Sequence, residues 1–140
     1  MNKKIVSGLQ GVTLIELVVT VAIMSILAVV AINIYSQHAR KGRRIDAINS
    51  LLAISLAEER YRSNNASYGT LAQVWGGVTT TAEGFYTLSI SNVSATSYTL
   101  TATAAGDQAN DASSSTSCTP LVLTVSNGAI TKTPSVCWPT

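Results

Sequence analysis

The sequence predicts an α+β chain in which one long N-terminal α-helix, membrane-spanning in its first half and amphipathic in its second, packs on an antiparallel β-sheet of about four strands. Three observations predict it. Residues 17–32 carry no charge, apolar residues then recur at three- and four-residue steps as far as Arg62, and after Gly84 the apolar period shortens to two. With 140 residues, the chain has the size of a single domain. It is 46% hydrophobic and only 11% charged, and the apolar excess sits in the N-terminal run, which excludes a plain cytosolic globule.

Residues 1–11 contain Lys3 and Lys4 and no acid. A secretory signal is cut after its apolar core, whereas here the small residue, Gly11, comes before it, and the core carries Glu16 near its start. A carboxylate in hydrocarbon costs about 2.5–3.5 kcal/mol, so Glu16 reads as functional. Residues 12–32, at a rise of about 1.5 Å each, cover the roughly 30 Å core of a bilayer. If Gly11 ends a leader, the amino group of Val12 is a cation one helical turn from Glu16. A neighbouring copy can offer its own amine to the same carboxylate, which lowers the cost of burying both charges. The alternative is a glutamate at headgroup level, neutralised by water or by its own terminus.

Residues 36–62 hold no proline and one glycine. Ile45, Ile48, Leu52 and Leu56 form an apolar stripe, widened by Leu51 and Ile54, as an amphipathic helix requires. Glu58 and Arg62 are spaced for a favourable i,i+4 pair, and Ser63, Asn64 and Asn65 end the element. No breaker separates this stretch from the apolar run, which predicts one helix over residues 13–63, about 75 Å long. Gly42 costs it about 1 kcal/mol and, with Asn33, is where flexing is expected. Residues 64–84 read as a connecting loop anchored by Tyr68, Leu71 and Trp75. Alternation then predicts strands over residues 86–90, 98–103 and 121–125, and Asn127-Gly128 turns the last into a return strand over residues 130–133. Between them, residues 106–117 read as a long, polar, exposed loop rather than a domain boundary.

The motif G-V-T-L-I-E-L at residues 11–17, followed by the long apolar run, closely resembles the class III leader and N-terminal helix of type IV pilins. The resemblance implies the type IV pilin fold and cleavage by a prepilin peptidase between Gly11 and Val12. It also implies methylation of the new Val12 amino terminus, retention of the apolar helix, and an assembly role for Glu16. R-K-G-R-R at residues 40–44, E-E-R-Y at 58–61, Y-T-L-T-A-T at 98–103 and the closing Cys137-Trp138 look like the minor pilins of the type IVa machinery. The expected organisation is a leader (1–11), a transmembrane and assembly helix (12–34) and a periplasmic, later extracellular, headpiece (35–140).

The expected function is a structural subunit of a type IV pilus, a minor pilin that helps initiate or cap assembly. The expected partners are the prepilin peptidase, other major and minor pilins, the inner membrane and the pilus assembly machinery. Two alternatives stand beside it: a pseudopilin of a type II secretion system, and a membrane-anchored module that captures DNA or a surface ligand.

Cys118 and Cys137 bracket the last hairpin, and their parity in an exported chain predicts a disulfide worth about 3 kcal/mol in the chain-entropy model. Two thiols with no paired histidine fall short of a zinc site. Arg40, Lys41, Arg43 and Arg44 gather on one hemisphere of the helix as a basic contact patch. Anionic headgroups, or acids such as Asp46 and those of neighbouring subunits, rank ahead of DNA phosphates as its partner, because no aromatic residue is interleaved with it. Positive-inside counting would put the patch in the cytoplasm, but four charges against two is a modest bias that the disulfide and the leader outweigh.

No catalytic residue, cofactor or metal is expected. Glu58 and Glu59 diverge on the helix, His38 has no relay, and Gly76-Gly77 lacks the lysine of a phosphate loop. Asp107, Asn110 and Asp111 do not match EF-hand spacing and read as a solvated loop.

Overall fold

The computed structural model describes residues 11–139. The expected leader, apart from Gly11, therefore lies outside the described residues. The chain divides into two compact units, with the boundary between Ser36 and Gln37.

Helix α1 (Leu14–Arg62) is hydrogen-bonded without interruption through Asn33 and Gly42, one residue shorter at each end than expected. In the first unit, its apolar side chains are exposed along the whole run, from Leu14 at 82% to Ile32 at 67%. The two hydroxyls of this run bond within the helix, Thr20 to the Leu17 carbonyl (2.9 Å) and Ser25 to the Val21 carbonyl (2.8 Å). Intrahelical bonding of this kind suits a segment without water at its sides.

In the second unit, α1 supplies one wall of a core and a sheet supplies the other. After helix α2 (Leu71–Trp75) come β1 (Tyr86–Ser91), β2 (Ser97–Ala104), a 3-10 turn (Gly106–Asn110), β3 (Ala112–Ser113), β4 (Thr116–Ser117), β5 (Leu121–Ser126), β6 (Ala129–Thr133) and a second 3-10 turn (Ser135–Cys137). The main sheet is antiparallel throughout, in the order β1-β2-β5-β6, and β3 with β4 forms a separate small hairpin. Leu88 faces Ala102, Leu100 faces Leu123 and Tyr98 faces Val125. These residues are buried, whereas the threonines and serines that alternate with them point away from the core. Asn127 and Gly128 take φ of 50° and 80°, the left-handed pair that a two-residue hairpin between β5 and β6 requires.

The predicted apolar stripe is rotated. Ile48, Leu51 and Ile54 are buried with Ala47, as are the charged residues Arg44 and Glu58 on the same face. Ile45, Leu52 and Leu56 instead stand 42–54% exposed on the neighbouring side of the helix. Both faces keep helical spacing, so periodicity reveals a stripe without saying which of two overlapping stripes meets the sheet.

Glu58 does not pair with Arg62. One of its carboxylate oxygens accepts the Gly69 N–H at 2.8 Å, and the other has no hydrogen-bond partner among the described residues. Arg62 donates to the Ala95 and Asn65 carbonyls. The connecting segment is anchored by Tyr68 and Leu71, as expected, with Trp75 half-buried against the core. It also contains α2, where Gln73 Oε1 accepts from both the N–H and the hydroxyl of Thr70.

Candidate functional site

Gly11, Val12 and Thr13 precede the first helical residue and are exposed, so the Gly11–Val12 peptide lies in non-helical chain, Val12 being 72% exposed. Thr13 Oγ1 accepts the Glu16 N–H at 3.3 Å, which satisfies one of the free donors at the start of α1. Glu16 lies in the first turn, where the helix dipole favours an anion, and is exposed. The apolar window that follows is long enough to cross a membrane, and none of it is buried.

The basic run is not a continuous patch. Arg40 forms a two-point ion pair with Asp107 (2.8 and 3.0 Å). One turn along α1, Arg44 does the same with Asp111 (2.6 and 2.7 Å) and adds a 3.3 Å bond to the Ala112 carbonyl. Arg43 stacks over the Phe85 ring with its guanidinium 4.0 Å from the centroid. Lys41 has no ion pair among the described residues.

The acids that pair with the run are therefore the chain's own Asp107 and Asp111. Asp46 instead accepts the Glu83 N–H. Residues 106–117 are correspondingly not one exposed loop, since they contain the 3-10 turn, the β3–β4 hairpin and the buried residues Gln108 and Asp111. Gln108 donates to both the Arg40 carbonyl and the Tyr86 hydroxyl at 2.9 Å. The matched four-residue spacing, Arg40 with Arg44 and Asp107 with Asp111, is the sequence signal that could have found these pairs.

The electrostatics follow the geometry. Hydrogen bonds from Arg40 hold the Asp107 carboxyl below the usual carboxylate range, and the bond to Asp111 raises Arg44 further although burial opposes it. Burial pushes Glu58 up, with the Gly69 N–H pulling the other way. Tyr98, buried and bonded to Ser55 at 2.8 Å, is pushed up to about 12, mainly by burial.

Cys118 and Cys137 are joined as a disulfide. The bond ties the segment before β5 to the second 3-10 turn, whose Cys137 carbonyl lies 3.5 Å from Arg44. Helix α1, the hairpin segment and the C-terminal segment thus meet around one buried guanidinium.

Residues 34–122 match the family model described as type IV minor pilin ComP, DNA uptake sequence receptor. The chain belongs to this family of type IV minor pilins. Residues 9–32 match the prokaryotic N-terminal methylation motif, which covers the Gly11–Val12 peptide, Glu16 and the apolar run. The comparison with curated proteins finds no match. This minor pilin thus carries the expected motif on an α+β pilin fold. The motif and the apolar helix are those of a membrane-anchored pilin that later joins the pilus.

Proposed function

We propose that this minor pilin is cleaved between Gly11 and Val12, methylated on Val12, and held by residues 12–34 in the inner membrane with its head, residues 35–140, on the periplasmic side. Glu16 then draws it into the growing pilus, where it helps initiate or cap assembly. The observation that carries this reading is the wholly unburied apolar window with a single carboxylate at its start. Apolar surface on that scale must be covered by lipid or by neighbouring helices, and a carboxylate among them needs a cation, which a processed amino terminus supplies.

Mass spectrometry of the exported chain should find methylated Val12 as its first residue; a terminus downstream of Ile32 would mean an ordinary secretory signal. Glu16→Leu should accumulate in the membrane normally and enter sheared filaments poorly, and assembly at wild-type level would remove the charge-pairing role.

The family description supports a second reading, that the head contacts DNA. Arg40 and Arg44 are committed to aspartates, so phosphate contacts fall to Lys41, Arg43, Arg60, Arg62 and Lys132, which have no carboxylate partner among the described residues. Neutralising one phosphate each gives a log-log salt slope no steeper than about −4.5. Titration of the full chain with duplex DNA across salt concentrations tests it, and affinity independent of salt refutes it.

A further inference from the structure

The two flanks of the head's part of α1 carry opposite charges at almost the same level. On one flank stands Lys41, exposed and without an ion pair among the described residues. Beside it runs a groove of about 320 Å³ lined by Ile45, Val136 and Trp138, the first two 50% and 42% exposed. Arg44 also lines this groove, but its charge is met by Asp111, whereas Lys132 stands over the Trp138 ring and adds a second free cation.

On the other flank is the turn of residues 81–84, closed by the Gly84 N–H on the Thr81 carbonyl (3.0 Å) and fastened to α1 by the Glu83 N–H on Asp46 (3.3 Å). The Glu83 side chain is exposed beside exposed Ala82 and has no ion pair among the described residues. Arg43, the cation of this flank, is held over Phe85. Asp46 follows Lys41 by five residues, which is about 7.5 Å along the helix and about 140° round it. Two heads standing side by side in the same orientation therefore bring the Glu83 turn of one to the Lys41 groove of the other.

We propose that copies of this chain associate head beside head, with Glu83 of one copy paired to Lys41 of the next and Ala82 seated against Ile45 and Val136. The two surfaces differ, so the contact is heterologous, and a third copy can add to the flank left free. It deepens the assembly reading, on which it rests for the meeting of copies, with a contact that does not use Glu16.

Two differently tagged forms of the full chain, Ile45→Cys and Ala82→Cys, are produced together, and their membranes are treated with a short bismaleimide, which leaves the Cys118–Cys137 disulfide unreacted. Cross-linking should join the two forms to each other but neither form to itself. Lys41→Glu placed in the Ile45→Cys form, or Glu83→Lys placed in the Ala82→Cys form, should lower the yield about fivefold, the upper range for one exposed ion pair. The two reversals together should restore it, and Lys41→Glu placed in the Ala82→Cys form should leave it unchanged. No cross-link, equal linking of each form to itself, or a yield indifferent to the reversals overturns the proposal. Entry of Glu16→Leu into filaments at wild-type level would count against the assembly reading and leave this cross-link standing, so the two fail separately.

Discussion

The two ends of α1 solve opposite problems. Along residues 14–32, apolar side chains have nothing of their own chain to cover them, and the lone charge, Glu16, is exposed with them. Along residues 44–58, Ala47, Ile48, Leu51 and Ile54 are buried in the core and two charges, Arg44 and Glu58, are buried among them. The first stretch needs an environment outside the subunit, whereas the second has been desolvated and must satisfy its charges internally. Loss of a charge should therefore disrupt assembly at one end and folding at the other.

The largest test of that contrast is Arg44→Met, which strands a buried Asp111. It should cost about 3–5 kcal/mol in chemical denaturation, with Arg44→Met/Asp111→Leu recovering much of the loss. Arg40→Met breaks a pair of the same geometry whose aspartate is 61% exposed, and the melting temperature should barely move. Equal losses from the two arginines would erase the distinction between buried and exposed pairs.

The rotation of the stripe is tested next. Leu51→Ala, at a fully buried position, should cost about 2–5 kcal/mol, and Leu52→Ala, 42% exposed, about 0.5 kcal/mol. Thermal melts that rank them the other way would restore the stripe read from periodicity alone.

A smaller effect is expected where α2 meets the end of the helix. A Cβ on Gly69 would lie 2.7 Å from Val74 Cγ1 and 3.1 Å from the Tyr61 ring, while the Gly69 N–H must still reach Glu58. Gly69→Ala should cost about 1–3 kcal/mol, and protease cleavage after mild heating should begin in residues 64–84.

The smallest effect sharpens the contrast by pH. The Glu58 carboxyl is raised in the fold above its ordinary 4.5, so over that interval the native state holds a proton the unfolded chain has lost. Its contribution to stability is complete below pH 4.5 and declines as pH rises through the native value. Glu58→Gln should remove that part of the slope in urea titrations, while Glu16→Leu should leave the head's pH profile unchanged. An identical slope in Glu58→Gln would show that another group sets it.

Local pattern makes much of this molecule legible. The charge-free run, the three- and four-residue periodicity and the later alternation give α1 and the four main strands to within a residue or two, because each depends on the side-chain period of one element. The Asn127-Gly128 turn and the cysteine pair are equally visible, the first from backbone preference and the second from parity. Helix α2 escapes such a reading, although Thr70 and Gln73 have capping-box spacing, because its five residues are too few to show a period.

The sequence by itself thus determined that this chain has the N-terminal methylation motif of pilins, a carboxylate at the start of an apolar helix, and a sheet to cover the helix's second half. Tertiary structure alone decided which side of that half is covered, since two overlapping stripes offer similar apolar content. It also decided the fate of the basic run. Arg40 and Arg44 pair with acids 67 residues away, brought into reach by the 3-10 turn after β2, and Lys41 is left without an ion pair among the described residues. The matched four-residue spacing of the two arginines and the two acids is visible in the sequence, but that the acids reach this face of α1 depends on where distant backbone returns in space.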